Sequence, residues 1–243
     1  DERFINAASR GADWLVHAVD VDGLWPAGDY RAKETPSYYT HVAWPLLEVA
    51  AETGDLEQKS VALRYLDAVL ERRLRNGAFS RWGFDDSGPA FTHTIAYTIR
   101  GFQECSRLVG DYDRYGGPVE EVLDFFVRKA ELCNGRMPGE FDEGLNATAS
   151  YVCLTGNAQL AICMLLMEQQ KPDLRIVNSA AKMLDFIGKV QSNKSMLQGV
   201  RGGVAGSYPR WGRYMTMRYP NWAAKYYCDA LMLLMSRLEN ELL

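Results

Sequence analysis

Apolar positions recur at helical spacing in eight stretches of the chain, and the stretches come in pairs. The first of each pair holds an Asp among apolar residues. These are Ala12-Asp13-Trp14-Leu15, Leu66-Asp67-Ala68-Val69, Leu123-Asp124-Phe125-Phe126 and Leu184-Asp185-Phe186-Ile187. A glycine-bearing loop follows each one, at Gly23-Leu24-Trp25, Gly77-Ala78-Phe79, Gly135-Arg136-Met137 and Gly199-Val200-Arg201, and a second apolar helix comes next. A fixed period of self-similarity says more about fold than local propensity does. It predicts a single all-α domain over 1–243, built from about four helical hairpins at about 1–55, 56–111, 112–173 and 174–243 and closed into an α/α toroid or left as an open arc. The outer helices are expected at about 4–19, 57–74, 118–132 and 175–191. The inner helices end at Thr53-Gly54-Asp55, Val109-Gly110-Asp111 and Lys171-Pro172-Asp173, where glycine or proline stops the turn.

Counting back from those stops aligns the inner helices. One equivalent position then holds His41, Tyr97, Gln159 and Lys225, and one turn earlier stand Ser37, His93, Thr155 and Asn221 on the same helix face. Capping accounts for Ser37, Thr155 and Asn221. It accounts less well for His41, Tyr97 and Lys225, which are equally read as the polar lining of a pocket.

Composition narrows the chemistry. Of 243 residues, 47% are hydrophobic and 24% charged, and the net charge of −4 offers no basic footprint for nucleic acid. No apolar run reaches the roughly 18 residues that cross a membrane. The five cysteines form no CxxC pair, and Cys105, Cys163 and Cys228 fall in apolar helical runs. Buried free thiols and a reducing, cytoplasmic setting follow. The sequons at Asn146 and Asn193 are then chance matches. The opening Asp1-Glu2-Arg3 is neither an initiator Met nor a signal peptide, as expected of an excised domain or a processed product. No metal-ligand spacing, P-loop or dinucleotide glycine pattern is present, so no cofactor is expected.

An outer helix, a Gly-aromatic loop and an inner helix, repeated, resembles the α/α-toroid proteins: terpene cyclases, protein prenyltransferases, six-hairpin glycosidases and polysaccharide lyases. The runs Thr92-His93-Thr94-Ile95-Ala96-Tyr97 and Leu154-Thr155-Gly156-Asn157-Ala158-Gln159, with Gly202-Gly203-Val204-Ala205-Gly206-Ser207-Tyr208-Pro209-Arg210-Trp211-Gly212 and Tyr219-Pro220-Asn221-Trp222, are similar to a bacterial family of uncharacterised toroid-like proteins linked to polysaccharide biosynthesis. The resemblance implies a ligand site at the loop end of the inner helices and shifts expectation toward carbohydrate. Full toroids have five to six hairpins, so a partner domain or chain would complete this one. The Asp-rich acid motif of squalene-type cyclases is only partly matched by Phe84-Asp85-Asp86-Ser87.

Candidate chemistry gathers in the loops. In the fourth, Arg201, Arg210, Arg213 and Arg218 alternate with Tyr208, Trp211, Tyr214, Tyr219 and Trp222. Guanidinium forks pair with carboxylates and aromatic faces stack on sugar rings, so an acidic glycan or other small saccharide is the expected partner. Trp25 and Trp82 join Tyr208 and Trp211 as stacking candidates. The third loop offers Glu140, Asp142 and Glu143, and carboxylate pairs perform glycoside hydrolysis. His93 and Tyr97, four apart on one helix face, with Asp142, are the acid/base candidates, while His41, Gln159, Asn221 and Lys225 line the site. The expected activity is a lyase, hydrolase or epimerase of bacterial polysaccharide production. A non-catalytic helical scaffold and a terpenoid-type toroid are the alternatives.

Overall fold

The computed structural model describes residues 1–28 and 34–239. Eight α-helices are described: α1 (Glu2–His17), α2 (Thr40–Thr53), α3 (Leu56–Leu70), α4 (Thr92–Val109), α5 (Gly117–Leu132), α6 (Leu154–Gln170), α7 (Leu174–Val190) and α8 (Asn221–Glu239). They alternate as the repeat predicts, α1, α3, α5 and α7 opening the hairpins and α2, α4, α6 and α8 closing them. The second opening helix stops four residues short of the expected Leu74. There the chain folds back through a bridge between Arg73 and Phe79, and Leu74 N–H donates to Ala78 C=O around Gly77. None of the described helices is long and apolar enough to cross a membrane.

One device starts every opening helix. Asp1, Asp55 and Asp173 cap α1, α3 and α7, their carboxylates accepting from the N–H groups of Arg3, Glu57 and Arg175. Asp111 does the same for the turn Tyr112–Gly116 that leads into α5, through Arg114 N–H. A side-chain oxygen at this place satisfies a donor that has no partner inside the helix.

The described chain divides into two compact units. The first takes residues 1–88 and 97–121; the second takes residues 89–96 and the described residues from 122 onward. The division falls inside α4, whose first turn belongs to the second unit.

In the first unit α2 packs on α3, and α1 packs on both. Tyr65, Leu66, Phe79, Trp82, Ile99 and Phe102 fill its core. Gly101 lets α4 meet α2: a Cβ there would stand 2.4 Å from Thr40 Oγ1. Two of the four repeated Asp residues bridge to the next segment of this unit, Asp13 accepting from Gln58 Nε2 of α3 at 3.0 Å and Asp67 from Arg114 Nη2 at 2.8 Å and Tyr115 OH at 3.0 Å in the turn before α5.

In the second unit α6 is central, flanked by α7 and α8. Almost every α6 side chain is buried, as expected of a helix that is apolar on all sides. Its Asn157 Nδ2 donates to Gly135 C=O at 3.0 Å and Met183 C=O at 3.2 Å. Near the other end, buried Glu168 accepts from Arg237 of α8 at 2.7 and 2.9 Å. Four two-residue strands were not foreseen. β1 (Ala90–Phe91) pairs antiparallel with β2 (Glu140–Phe141), and β3 (Val152–Cys153) with β4 (Ser207–Tyr208). They fasten the long loops in front of α4, α6 and α8.

Candidate functional site

The strands of the second unit bring three loop residues together. Phe91 stands opposite Glu140 in the β1–β2 register. Glu140 is 5% exposed. Its Oε1 accepts from Tyr151 OH at 2.5 Å, and Arg213 Nη1 lies 3.3 and 3.4 Å from its two oxygens. The Tyr151 ring is clamped between glycines. A Cβ at Gly139 would fall 2.5 Å from Tyr151 Cε2, and one at Gly212 would fall 2.7 Å from Tyr151 Cγ. Only glycine permits such approaches, and they fix the direction of the phenol. Burial first, then the hydrogen bond to Glu140, pushes the Tyr151 phenol above the usual tyrosine range. It therefore stays protonated and donates.

Arg213 is only half engaged. One nitrogen reaches Glu140 at long distance, the guanidinium lies 5.4 Å over the Phe91 ring, and 51% of the side chain faces solvent. The remaining N–H groups of the fork are open to an anion from outside.

Beside this cluster, the first turn of α4 presents His93. Its Nδ1 lies 2.8 Å from Gln159 Oε1 on α6, and an amide oxygen only accepts, so the imidazole proton sits on Nδ1. Burial lowers the His93 pKa to about 4, outweighing the opposing hydrogen bond to Gln159. His93 is thus a neutral hydrogen-bonding group at ordinary pH, not a reservoir of charge. Tyr214 joins the two halves, its ring centroid 5.2 Å from that of His93 and 5.3 Å from that of Phe91. Its hydroxyl accepts from Trp222 Nε1 at 3.0 Å.

Of the residues expected from sequence, His93, Gln159 and Arg213 converge on Phe91 and Tyr214. The other arginines of the fourth loop turn elsewhere. Arg201 Nε donates to Ser195 C=O at 3.0 Å, and Arg210 Nη1 to Tyr219 OH at 3.3 Å. Asp142 is held by Asn146, whose backbone N–H and Nδ2 donate to it at 2.8 and 3.1 Å, and these bonds keep its carboxyl below the usual range. Tyr208 leans edge-on against Phe186 with part of its ring open, and Trp211 is 74% exposed. Asn221 opens α8 at the surface, and Lys225 pairs with Asp229 at 2.6 Å.

In the first unit Tyr97 stacks on His41 with centroids 4.1 Å apart and planes 13° apart. Trp25 and Trp82 are core residues with no open ring face. The Trp25 indole donates to Leu15 C=O at 2.9 Å and lies against Tyr65. Sequence reasoning passed over Phe91 and Tyr151. Tyr151 stands in a short run before β3, and only the meeting of Gly139 with Gly212 gives it a direction.

No protein-family model matches this chain, and no curated protein does. Solved structures do. The chain is similar to the unsaturated glucuronyl hydrolase of Bacillus sp. GL1, named as responsible for the degradation of glycosaminoglycan, with a TM-score of 0.74, 21% identity, and coverage of 96% of this chain and 69% of that one. An unsaturated glucuronyl hydrolase specific for heparin gives a TM-score of 0.76 at 15% identity, over 98% of this chain and 70% of the other. The cellobiose 2-epimerase of Spirochaeta thermophila gives 0.64 at 11% identity, over 82% and 52%. The fold is all-α, of the α/α-toroid class, and its neighbours are carbohydrate-active enzymes. Hydrolases and an epimerase share it, so the fold leaves the reaction open.

Proposed function

We propose that this protein binds an acidic saccharide at the Arg213 cluster and moves the proton next to the uronate carboxylate, as an epimerase or lyase. The observation that carries the reading is a half-free guanidinium held over an aromatic ring beside a buried carboxylate and a protonated phenol. Acidification of a C–H bond next to a carboxylate needs a cation on that carboxylate and a base beside the carbon. Arg213 supplies the first and Glu140 the second.

In this scheme the open N–H groups of Arg213 take the substrate carboxylate, and Trp211 and Tyr208 offer faces for sugar rings. The C–H bond breaks, its proton passes to Glu140, and the electron pair spreads into the substrate carboxylate, where Arg213 balances the added charge. Return of a proton from water to the opposite face gives the epimer. Departure of the substituent on the next carbon, its oxygen taking a proton from water, gives the unsaturated product. Tyr151, hydrogen-bonded to Glu140, holds that carboxylate in position.

The glucuronyl substrates named for two structural neighbours support the acidic sugar. Glycoside hydrolysis is less well supported, because it requires two carboxylates on the reacting bond, and Asp142 is taken up by Asn146. The single-domain reading draws support from α4, which contributes to both compact units. The cellular setting we attach to this chemistry is bacterial polysaccharide production.

Incubation with uronate oligosaccharides in deuterated water tests the proposal. Nuclear magnetic resonance is expected to show deuterium entering beside the carboxylate, or absorbance to show an unsaturated product, and Glu140→Gln is expected to slow this by about 100-fold or more. Binding without exchange or product removes the chemistry; absence of binding removes the whole reading.

A further inference from the structure

Resting on the uronate reading above, we infer that His93, Thr155 and Gln159 form a buried polar cell that recognises one neutral hydroxyl group of the same saccharide. Gln159 is 1% exposed; its Oε1 faces His93, and its Nε2 has no hydrogen-bond partner among the described residues. Thr155 lies one turn earlier on the same face of α6 and is fully buried. Its Oγ1 is close to the Tyr214 phenol but in no hydrogen-bonding geometry with any described residue. Buried polar atoms left unpaired are costly, and native proteins keep few of them without a reason. Asn157 Oδ1 is also unpaired, but its amide is anchored to Gly135 and Met183, which gives that side chain a structural task.

The chemistry of the cell selects its guest. A carboxamide N–H donates, and a threonine hydroxyl donates or accepts, so together they match an alcohol, which can do both. A carboxylate would enter beside a neutral imidazole, since His93 is uncharged, whereas the Arg213 guanidinium lies over Phe91 and against Glu140. The Tyr214 hydroxyl accepts from Trp222 Nε1 and keeps its own proton, so it borders the cell as a further donor. The unpaired atoms are then a specificity device. A site built to pair with a hydroxyl rejects the analogue lacking it, because its own polar atoms stay unpaired.

The test measures binding of a glucuronate-containing disaccharide and of its singly deoxygenated counterparts by calorimetry. One deoxy compound is expected to bind about tenfold or more weakly to the native protein. Gln159→Met and Thr155→Val, which keep side-chain volume, are expected to bind the parent more weakly and to shrink that ratio toward one. Gln159→Met also strips the His93 Nδ1–H of its acceptor, so the Thr155→Val variant supplies the comparison in which that bond is kept. Equal binding of parent and all deoxy compounds, or a ratio unchanged in both variants, overturns the cell while leaving the Arg213 reading standing. Failure of every uronate to bind overturns both, and is told apart by the loss of the parent signal itself.

Discussion

Gly156 on α6 presses against Thr92 at the start of α4: a Cβ at Gly156 would stand 2.1 Å from Thr92 Oγ1 and 2.6 Å from His93 N. This approach sets His93 beside Gln159. Alanine in a helix usually gains up to about 1 kcal/mol over glycine. Here the obstacle is partly backbone and cannot swing away. Gly156→Ala is therefore expected to destabilise by about 3 kcal/mol, read as a lower urea midpoint. An unchanged midpoint would show that the two helices separate freely.

The His93 imidazole gives an acid-side stability slope. Its pKa is about 4 when folded against 6.5 when free. As pH falls between these values the unfolded chain binds the proton and the folded one refuses it. Stability is thus full above about pH 6.5 and declines toward pH 4, by the order of 3 kcal/mol from this group. Urea unfolding of the native protein and of His93→Gln, compared at about pH 7 and about pH 4.5, checks this. The advantage of the native protein at the higher pH is expected to narrow at the lower one.

Glu168 and Arg237 form a buried ion pair, with the carboxylate side chain 2% exposed. Arg237→Met strands the charge and is expected to cost about 3 kcal/mol. Adding Glu168→Met should recover much of the loss, since two apolar chains replace a pair whose desolvation was expensive. A double mutant no more stable than the single would contradict this account.

Two tryptophans separate site from core. Trp211→Ala is expected to leave unfolding almost unchanged and to weaken binding of a uronate oligosaccharide about fivefold. Trp25→Ala is expected to cost about 3 kcal/mol or more in stability through the cavity it opens. Equal effects of the two changes on unfolding would refute the assignment.

The frame of the protein was readable because each hairpin repeats one amphipathic pattern, and the glycine and proline stops place most helix ends within a few residues. The cluster was much less readable. Arg201, Arg210 and Arg213 look alike in sequence, yet the turns of the fourth loop send each to a different partner. Trp25, Trp82 and Trp211 all occupy aromatic loops, and only packing decides that two are core and one is open. Glu140 was visible as one acid among three. Its separation from Asp142 depends on a tyrosine held between two glycines far apart in the chain.

The Asp caps at the hairpin junctions confer a directional tolerance on the chain. Each one reaches an amide only two or three residues ahead, so an insertion there would uncouple one helix from the next. The segments 71–91, 133–153 and 191–220, each between an opening and a closing helix, are longer and are pinned only at points, by the strand pairs and by local bonds such as Cys153 Sγ to Gly156 N–H. New sequence added between those points leaves the Asp caps untouched, so a lineage of such proteins is free to exchange substrates by rewriting one kind of connection and to inherit the other unchanged.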